Sequence, residues 1–190
     1  MRHLAYIGLG ANLPSRAGTP EQTLAAAIAE LSTAGTVVAR SSLYRTEPVD
    51  YAAQPAFVNA ALALETGLDP EALLDFMLST ERRYGRDRSR DVPKGPRTLD
   101  LDLLLFDAQI VHTPQLTLPH PEMARRRFVL EPLAEIAPAL PHPVSGETMA
   151  ELLEKLPETG PNARAAVQKL AESPDGATFS GNAPSMGRTP

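Results

Sequence analysis

The sequence predicts an α+β protein with a ferredoxin-like βαββαβ core, and three observations lead to this prediction. Segments with strand and helix patterns alternate in the order strand, helix, strand, strand, helix, strand. Both helical segments open with a capping residue followed by proline. The 190 residues are 43% hydrophobic and 22% charged, the balance of a folded domain with a sizeable core. We expect a mainly antiparallel sheet with both helices on one face and flexible loops over the other, ligand-binding face.

The first half of the core contains one helix and three strands. Thr19 is the predicted cap of the helix, Pro20 its first residue and Gln22 the partner that completes a capping box. Apolar residues then recur at helical spacing as far as Leu31, and Gly35 ends the segment. Strand-forming residues place the strands at 3–9, 36–45 and 56–65.

The second half repeats the helix signal at Asp69 and Pro70. An apolar stripe runs from Leu73 to Tyr84 and includes one acid, Glu81. The last core strand is predicted at 98–106, and two further helical segments are predicted at 128–136 and 147–156.

The composition changes near residue 157, which we take as the end of the domain. Residues 157–190 contain five prolines, four glycines and one aromatic residue, Phe179. A short helix is predicted over 162–172, but the rest of 158–190 has too little to bury and is predicted to be a disordered tail. Removing 158–190 is therefore expected to change neither melting nor rate much.

The composition also excludes several classes of protein. The chain has no cysteine, which excludes disulfides, zinc–thiolate sites, iron–sulfur clusters and cysteine nucleophiles. Its net charge of −5 argues against a domain that grips nucleic acid nonspecifically. We find neither a secretory signal nor a window approaching the roughly 18 apolar residues of a membrane span. The sequence is expected to encode a cytoplasmic monomer that binds small molecules, with no nucleic-acid or membrane partner.

The most informative motif lies in the strand at 98–106, where Asp100 and Asp102 alternate with leucines. Residues two apart in a strand share a face and lie about 7 Å apart, so both carboxylates project from one side. The leucines at 99, 101, 103 and 105 are expected to face the core. Mg²⁺ prefers one or two carboxylates together with substrate phosphates. Spacing alone leaves open a plain pair of solvated acids.

Cations concentrate around this motif. Seven of the 18 basic residues lie between 82 and 97, and three more follow at 125–127. Arginine binds phosphate oxygens two at a time, so an acidic protein with this cluster is suited to hold a polyphosphate. Residues 86–97 are expected to form a lid that closes over it. A solvated basic loop, or one that contacts RNA, remains open.

Three uncharged or weakly basic residues are further candidates for binding a ligand. Phe57 and Asn59 share a strand face and could stack on and hydrogen-bond a flat heterocycle. His120 lies between two prolines that fix its backbone. The alternatives are that Phe57 is an ordinary core residue and that His120 is a surface histidine in a turn. We find neither a G-x-x-x-x-G-K-[ST] loop nor a G-x-G-x-x-G motif.

Four segments together resemble the 6-hydroxymethyl-7,8-dihydropterin pyrophosphokinase family of folate biosynthesis. They read YIGLGANL, SSLYRTEPVDYAAQPAFVNAALALET, GPRTLDLDLLLF and LTLPHPEMARRRFVLEPLAEIAP, and E-x-x-x-G-R-x-R precedes the third. The resemblance covers about residues 3–145 in the expected order.

The resemblance implies a fold, a reaction and roles for individual residues. Such enzymes have a ferredoxin-like core, use two Mg²⁺ and transfer the pyrophosphoryl group of ATP to the hydroxymethyl group of the pterin, leaving AMP. The implied metal ligands are Asp100 and Asp102, and these with Arg86 and Arg97 form the implied catalytic set. The implied ATP contacts are Glu81, Arg88, Thr117, His120 and Arg126. The implied pterin contacts are Thr46, Val49, Phe57, Asn59 and Phe128.

Residue patterns by themselves leave two other functions open. A D-x-D nucleotidyl- or glycosyltransferase would use the same acids, and a noncatalytic RNA-binding module would use the same arginines. The nucleotide product separates the enzymes: AMP indicates pyrophosphoryl transfer, ADP a kinase and pyrophosphate a nucleotidyltransferase. The sequence does not decide whether Asp102 or water takes the proton of the pterin hydroxyl.

Overall fold

The computed structural model of the chain describes residues 1–47, 54–87, 95–157 and 166–170. The strands are β1 (His3–Ala11), β2 (Gly35–Arg40), β3 (Tyr44–Thr46), β4 (Phe57–Thr66), β5 (Asp100–Phe106), β6 (Val111–His112), β7 (Thr117–Leu118) and β8 (Val167–Lys169). The helices are α1 (Pro20–Leu31), α2 (Pro70–Arg83), α3 (Arg127–Ile136) and α4 (Met149–Glu154), with a 3₁₀ turn at Met123–Arg125.

One antiparallel sheet organises the fold. β1 lies between β4 and β5, and the far edge of β4 pairs first with β2 and then with β3. β2 and β3 thus divide the single strand predicted at 36–45 into two. With these two counted as one strand, the element order is the predicted βαββαβ, and the expectation of an α+β fold with a mainly antiparallel sheet is confirmed.

Both core helices begin as their capping signals predict. Thr19 caps α1 in a reciprocal capping box with Gln22, and Asp69 caps α2 by accepting a hydrogen bond from the Ala72 N–H. The two helices lie on the same face of the sheet, where Leu24 of α1 joins a core with residues of β1, β4 and β5. The two helices therefore shield this face of the sheet from water.

The expectation that the opposite face is left to loops is wrong for part of the sheet. α3 and α4 pack there, and Leu130 and Met149 are fully buried in a second core with Tyr6 and Ala61. Apolar side chains at one end of β1, β4 and β5 require this cover because they would otherwise face water. The uncovered remainder of this face carries the two aspartates of β5.

A bulge in β5 corrects the predicted orientation of Leu105. Tyr6 pairs with Leu105 and Ile7 with Leu103, so Leu104 has no partner across β1. The extra residue reverses the alternation beyond it. Leu105 consequently lies in the core under α3, whereas Leu103 lies in the core under α1 and α2.

Part of the predicted tail belongs to the sheet. Residues 167–169 form β8, which pairs antiparallel with β3, so a helix over 162–172 is wrong at these positions. The domain boundary at 157 and the disorder of the remaining tail stay predictions. None of the helices in the described ranges has the length and apolar composition of a membrane span.

Candidate active site

A cavity of about 580 Å³ opens on the uncovered end of the sheet, beside the 3₁₀ turn and the start of α3. It is lined by ten of the residues that the sequence analysis selected. They are Thr46, Phe57, Asn59, Arg86, Arg97, Asp100, Asp102, His120, Arg126 and Phe128. Residues from β3, β4, β5 and α3 thus converge although they are far apart in sequence.

Glycines of β1 form the floor of this cavity. Gly10 pairs with Asp100 on one side and Asn59 on the other, and Gly8 pairs with Asp102 and Ala61. A Cβ atom on Gly10 would lie 3.0 Å from the Asn59 Oδ1. Glycine therefore keeps open the space that separates the aspartates from the amide.

Asp100 is held by two arginines. Arg97 Nη1 donates to Asp100 Oδ2 at 2.7 Å, and Arg86 Nη1 donates to Asp100 Oδ1. The Arg86 guanidinium is buried and also donates to Glu81 Oε1 at 2.7 Å. These charge-assisted contacts fix the carboxylate of Asp100 at the cavity wall.

Glu81 lies beneath the cavity and does not line it. Its side chain is 1% exposed, and Oε1 accepts hydrogen bonds from Arg86 Nη1 and from the Leu101 N–H at 2.8 Å. In this structure the acid on the apolar stripe of α2 therefore anchors Arg86 and β5. The ATP contact predicted for Glu81 stays a prediction.

Asp102 has a different electrostatic environment. Burial raises the pKa of its carboxyl and the charge of Asp100 raises it further, while His120, Arg126 and Arg86 act in the opposite direction. The Nε2 atom of His120 lies 3.9 Å from Asp102 Oδ1. Asp102 therefore bears an electrostatic cost that a further cation would relieve.

His120 is fixed by its own backbone contacts. The His120 N–H donates to the Leu104 carbonyl at 2.9 Å, and His120 Nδ1 accepts from the Glu122 N–H at 3.3 Å. Because Nδ1 is an acceptor here, the neutral ring carries its hydrogen on Nε2, the nitrogen that faces Asp102.

Aromatic and amide groups line the opposite wall. Asn59 is buried, and its Nδ2 donates to Thr46 Oγ1 at 2.8 Å. Phe57 lies two residues before Asn59 on the same strand face, and Phe128 comes from the first turn of α3. We call Thr46, Phe57, Asn59 and Phe128 the aromatic side, and Arg86, Arg97, Asp100, Asp102 and His120 the charged side.

Some selected residues lie elsewhere. Thr117 lies in β7 and does not line the cavity. Val49 and Arg88 are outside the described residues. Arg127, grouped by sequence with the phosphate-binding cations, is buried, with contacts to Glu131 at 3.3 Å and the Leu156 carbonyl at 3.5 Å.

Asn12 is a residue that sequence reasoning missed. It is buried at the end of β1, and its Oδ1 accepts from the Arg97 N–H at 2.7 Å. Its Nδ2 donates to Gln54 Oε1 at 3.2 Å and to the Pro55 carbonyl at 3.0 Å. Asn12 thus ties together one segment from each side of the cavity. A polar residue directly after a buried strand was the available signal.

Further polar lining residues were also missed as site residues. Their presence depends on tertiary contacts that the local pattern does not reveal. They include Glu47, Gln54 and Glu122, whereas Arg125, which also lines the cavity, belongs to the cation cluster that the sequence analysis identified.

The donor set fits Mg²⁺. Among the described residues, no group of three or more His, Cys, Asp or Glu side chains could hold a metal alone. Two carboxylates on one face suit an ion that completes its shell with phosphate oxygens and water.

The charge balance of the cavity also favours bound Mg²⁺. Its described lining has four arginines and four carboxylates, so their formal charges cancel. A triphosphate brings roughly four negative charges, which two divalent ions would neutralise.

The fold and the site define a class of protein: an α+β enzyme whose carboxylate pair and arginines face an aromatic pocket, the arrangement for transferring a phosphate-containing group to a flat acceptor. The family model described as 7,8-dihydro-6-hydroxymethylpterin-pyrophosphokinase (HPPK) matches residues 6–138. The chain belongs to this family.

Relatives of the chain carry the corresponding name. The 2-amino-4-hydroxy-6-hydroxymethyldihydropteridine pyrophosphokinase of Pseudomonas aeruginosa is 46% identical over 157 residues, which cover 82% of this chain and 93% of that protein. The enzyme of the same name from Bacillus subtilis is 45% identical over 136 residues, 72% of this chain and 79% of the relative.

Solved structures show the same fold. The Plasmodium falciparum HPPK-DHPS structure with pterin and p-hydroxybenzoate has a TM-score of 0.65 and 14% sequence identity, covering 89% of this chain and 45% of that chain. At this identity the likeness concerns the fold alone.

Family membership establishes the activity. The protein is a diphosphotransferase that moves the pyrophosphoryl group from its co-substrate ATP to hydroxymethyldihydropterin in folate synthesis. This replaces the nucleotidyltransferase, glycosyltransferase and RNA-binding alternatives.

Proposed function

We propose that the cavity performs this transfer with ATP on the charged side and 6-hydroxymethyl-7,8-dihydropterin on the aromatic side. The observation that supports it best is the pairing across β1. Asp100 and Asn59 flank Gly10 on neighbouring strands, so the acids and the amide face one open space. A phosphate chain beside the acids would meet an acceptor group held beside the amide.

The pterin is held by stacking and by hydrogen bonds. Phe57 and Phe128 provide aromatic faces for a flat ring, and the Asn59 side chain has a donor and an acceptor for its polar edge. Thr46 orients Asn59 by accepting from its Nδ2 at 2.8 Å. Backbone groups near Thr46 and Val49 complete the pterin contacts in this proposal.

ATP is held by cations that already line the cavity. In this proposal Arg97, Arg126 and His120 contact the phosphates of ATP. Arg86 also lines the cavity, where it is held by Glu81. Arg88 is the proposed contact from the segment outside the described residues, and Glu81 acts through its ion pair with Arg86. Thr117 is also a proposed ATP contact, and it lies outside the lining of the cavity.

Asp100 and Asp102 are the residues that would hold two Mg²⁺ ions. When bound, the ions neutralise phosphate charge and orient the triphosphate for in-line displacement. The charge balance of the lining supports two ions. Titrating the enzyme with Mg²⁺ in the presence of a nonhydrolysable ATP analogue tests this number by calorimetry, and a stoichiometry of one ion per enzyme would contradict it.

The transfer needs positioning more than covalent help from the protein. The hydroxymethyl oxygen of the pterin attacks the β-phosphorus of ATP, and one oxygen–phosphorus bond forms. The bond from this phosphorus to the oxygen shared with the α-phosphate breaks, and AMP leaves. Arg97 lies where it can stabilise charge that develops on the transferred group. The hydroxyl proton passes to Asp102 or to water.

Product analysis tests the proposal directly. The protein is mixed with ATP, Mg²⁺ and the pterin, and nucleotide and pterin products are quantified together. AMP formed in step with pterin diphosphate is the expected result. ADP or inorganic pyrophosphate as the nucleotide-derived product would contradict it.

Size-exclusion chromatography and cell fractionation test the further proposal of a cytoplasmic monomer.

A further inference from the structure

The strand β8 lies against the aromatic side of the cavity. It pairs antiparallel with β3, which is itself only three residues long. The Leu170 N–H donates to the Leu43 carbonyl at 2.8 Å, and the Glu47 N–H donates to the Ala166 carbonyl at 3.4 Å. β3 is therefore held between β4 and β8.

The held strand carries part of the cavity wall. Thr46 of β3 pairs with Phe57 of β4 on one side and Val167 of β8 on the other. Thr46 also accepts the hydrogen bond from Asn59. A short strand with partners on both edges has little freedom, so β8 limits the movement of Thr46 and through it the orientation of Asn59.

Glu135 of α3 joins β8 and β3 to the helix. Its carboxylate accepts hydrogen bonds from Ser42 Oγ at 2.8 Å, from the Tyr44 hydroxyl at 2.8 Å and from Lys169 Nζ at 2.9 Å. Burial opposes its negative charge, but these hydrogen bonds outweigh burial and lower the pKa of Glu135. Three elements therefore meet at one charged carboxylate.

The same helix carries the second aromatic of the cavity. Phe128 and Glu135 are seven residues apart in α3, so they lie on one face of the helix about 10 Å apart along its axis. Fixing Glu135 against β3 and β8 consequently fixes Phe128 relative to Thr46.

We propose that β8 and Glu135 form a brace that sets the separation of two walls of the pterin pocket, Thr46 on β3 and Phe128 on α3. Glu135 and the backbone of β8 act as positioning groups and do not touch the substrate. The inference rests on the proposed binding of the pterin to the aromatic side. It predicts that loosening the brace weakens pterin binding while ATP binding and the chemical step are preserved.

A proline substitution loosens the brace at one hydrogen bond. Bonded pairs alternate along an antiparallel ladder, and the pairs 43/170 and 47/166 are bonded, so Gln168 bonds with Arg45 between them. Gln168→Pro removes that N–H, whereas Gln168→Ala keeps it. The Gln168 side chain is exposed, which makes the alanine variant a matched control.

Steady-state kinetics and hydrogen exchange in the full chain provide the readouts. Gln168→Pro is expected to raise the KM for the pterin about tenfold while kcat and the KM for ATP stay close to those of Gln168→Ala. Amide exchange at 44–47 is expected to accelerate in the same variant. Glu135→Gln, which retains shape but loses the charge, is expected to raise the pterin KM about threefold.

Two outcomes would overturn the brace. One is faster exchange at 44–47 with an unchanged pterin KM, because β3 would then be free without consequence for the pocket. The other is an unchanged exchange rate in Gln168→Pro. If Gln168→Pro does not fold, Glu135→Gln decides, and an unaltered pterin KM in that variant contradicts the proposal. Failure of the wild-type protein to form pterin diphosphate would instead reject the proposed function.

Discussion

The charged side and the aromatic side of the cavity are held in place by different forces. On the charged side, Asp100 is fixed by Arg86 and Arg97, and Arg86 is fixed in turn by the buried Glu81. On the aromatic side, strand pairing positions Phe57 and Asn59, and the packing of α3 positions Phe128. Ion pairs thus hold the charged side directly, whereas the aromatic side is held by strand pairing and by the packing of α3, which Glu135 joins to β3 and β8.

The two sides should therefore respond differently to substitution. Removing one charge from the charged side leaves its former partner with an uncompensated buried charge, which is costly. Removing a contact from the aromatic side leaves the sheet intact because the backbone still pairs. Substitutions that break an ion pair of the charged side should therefore lower both stability and turnover, and those on the aromatic side should mainly weaken pterin binding.

The largest expected effect comes from the two aspartates. Asp100→Asn and Asp102→Asn should each lower kcat by about 10³-fold or more, because each removes a proposed metal ligand. Their stabilities should differ. Asp100→Asn should lose about 1–3 kcal/mol of unfolding free energy because two arginines lose a charged acceptor. Asp102→Asn should be as stable as the wild type or more so, since burial and Asp100 oppose its charge.

Urea unfolding and turnover of both variants check this prediction. Wild-type turnover in either variant would contradict its role as a metal ligand. Equal loss of stability in the two would contradict the unequal roles assigned to their ion pairs.

A smaller effect is expected for Arg97→Ala. It should slow the single-turnover rate about 100-fold and leave pterin affinity nearly unchanged, because Arg97 is assigned to developing charge on the transferred group. Rapid-quench kinetics measure the rate, and fluorescence titration measures pterin binding. Arg2→Ala, which removes an exposed pair with Glu65, is the control. An unchanged single-turnover rate would remove Arg97 from the chemical step.

The smallest of these effects is expected for a substitution in the glycine floor of the cavity, between the charged and aromatic sides. Gly10→Ala should weaken pterin binding about fivefold, since its Cβ would lie 3.0 Å from Asn59 Oδ1 and displace the amide. Gly67→Ala, where a Cβ meets no atom within 4 Å, is the matched control. Equal pterin affinity in the two variants would show that Asn59 can move without consequence.

Local patterns predicted much of the fold. The capping box of α1, the Asp69 cap of α2, the proline that follows each cap and the alternation of β4 depend on neighbouring residues and were readable from the sequence. The bulge in β5 depends on its pairing with β1, so the side on which Leu105 lies was predicted incorrectly. Arg127 was misassigned for the same reason, because its burial depends on α4 and the segment after it.

The tail shows the limit of composition most clearly. Residues 158–190 have few groups to bury, and their removal was expected to change little. The segment 167–169 nevertheless gains order from the unpaired edge of β3, a partner more than 120 residues earlier. The revised expectation is that losing this segment weakens pterin binding.

The sequence by itself determined the chemistry of this protein: an acid pair on one strand face, arginines that attract phosphate, and an aromatic and an amide on another strand. These follow from residue type and from the period of a strand. The tertiary structure alone decided which groups meet. It placed glycines between the two sides, buried Glu81 behind Arg86 and brought β8 to β3. Such pairings join residues distant in the chain, and only the folded backbone brings them within contact.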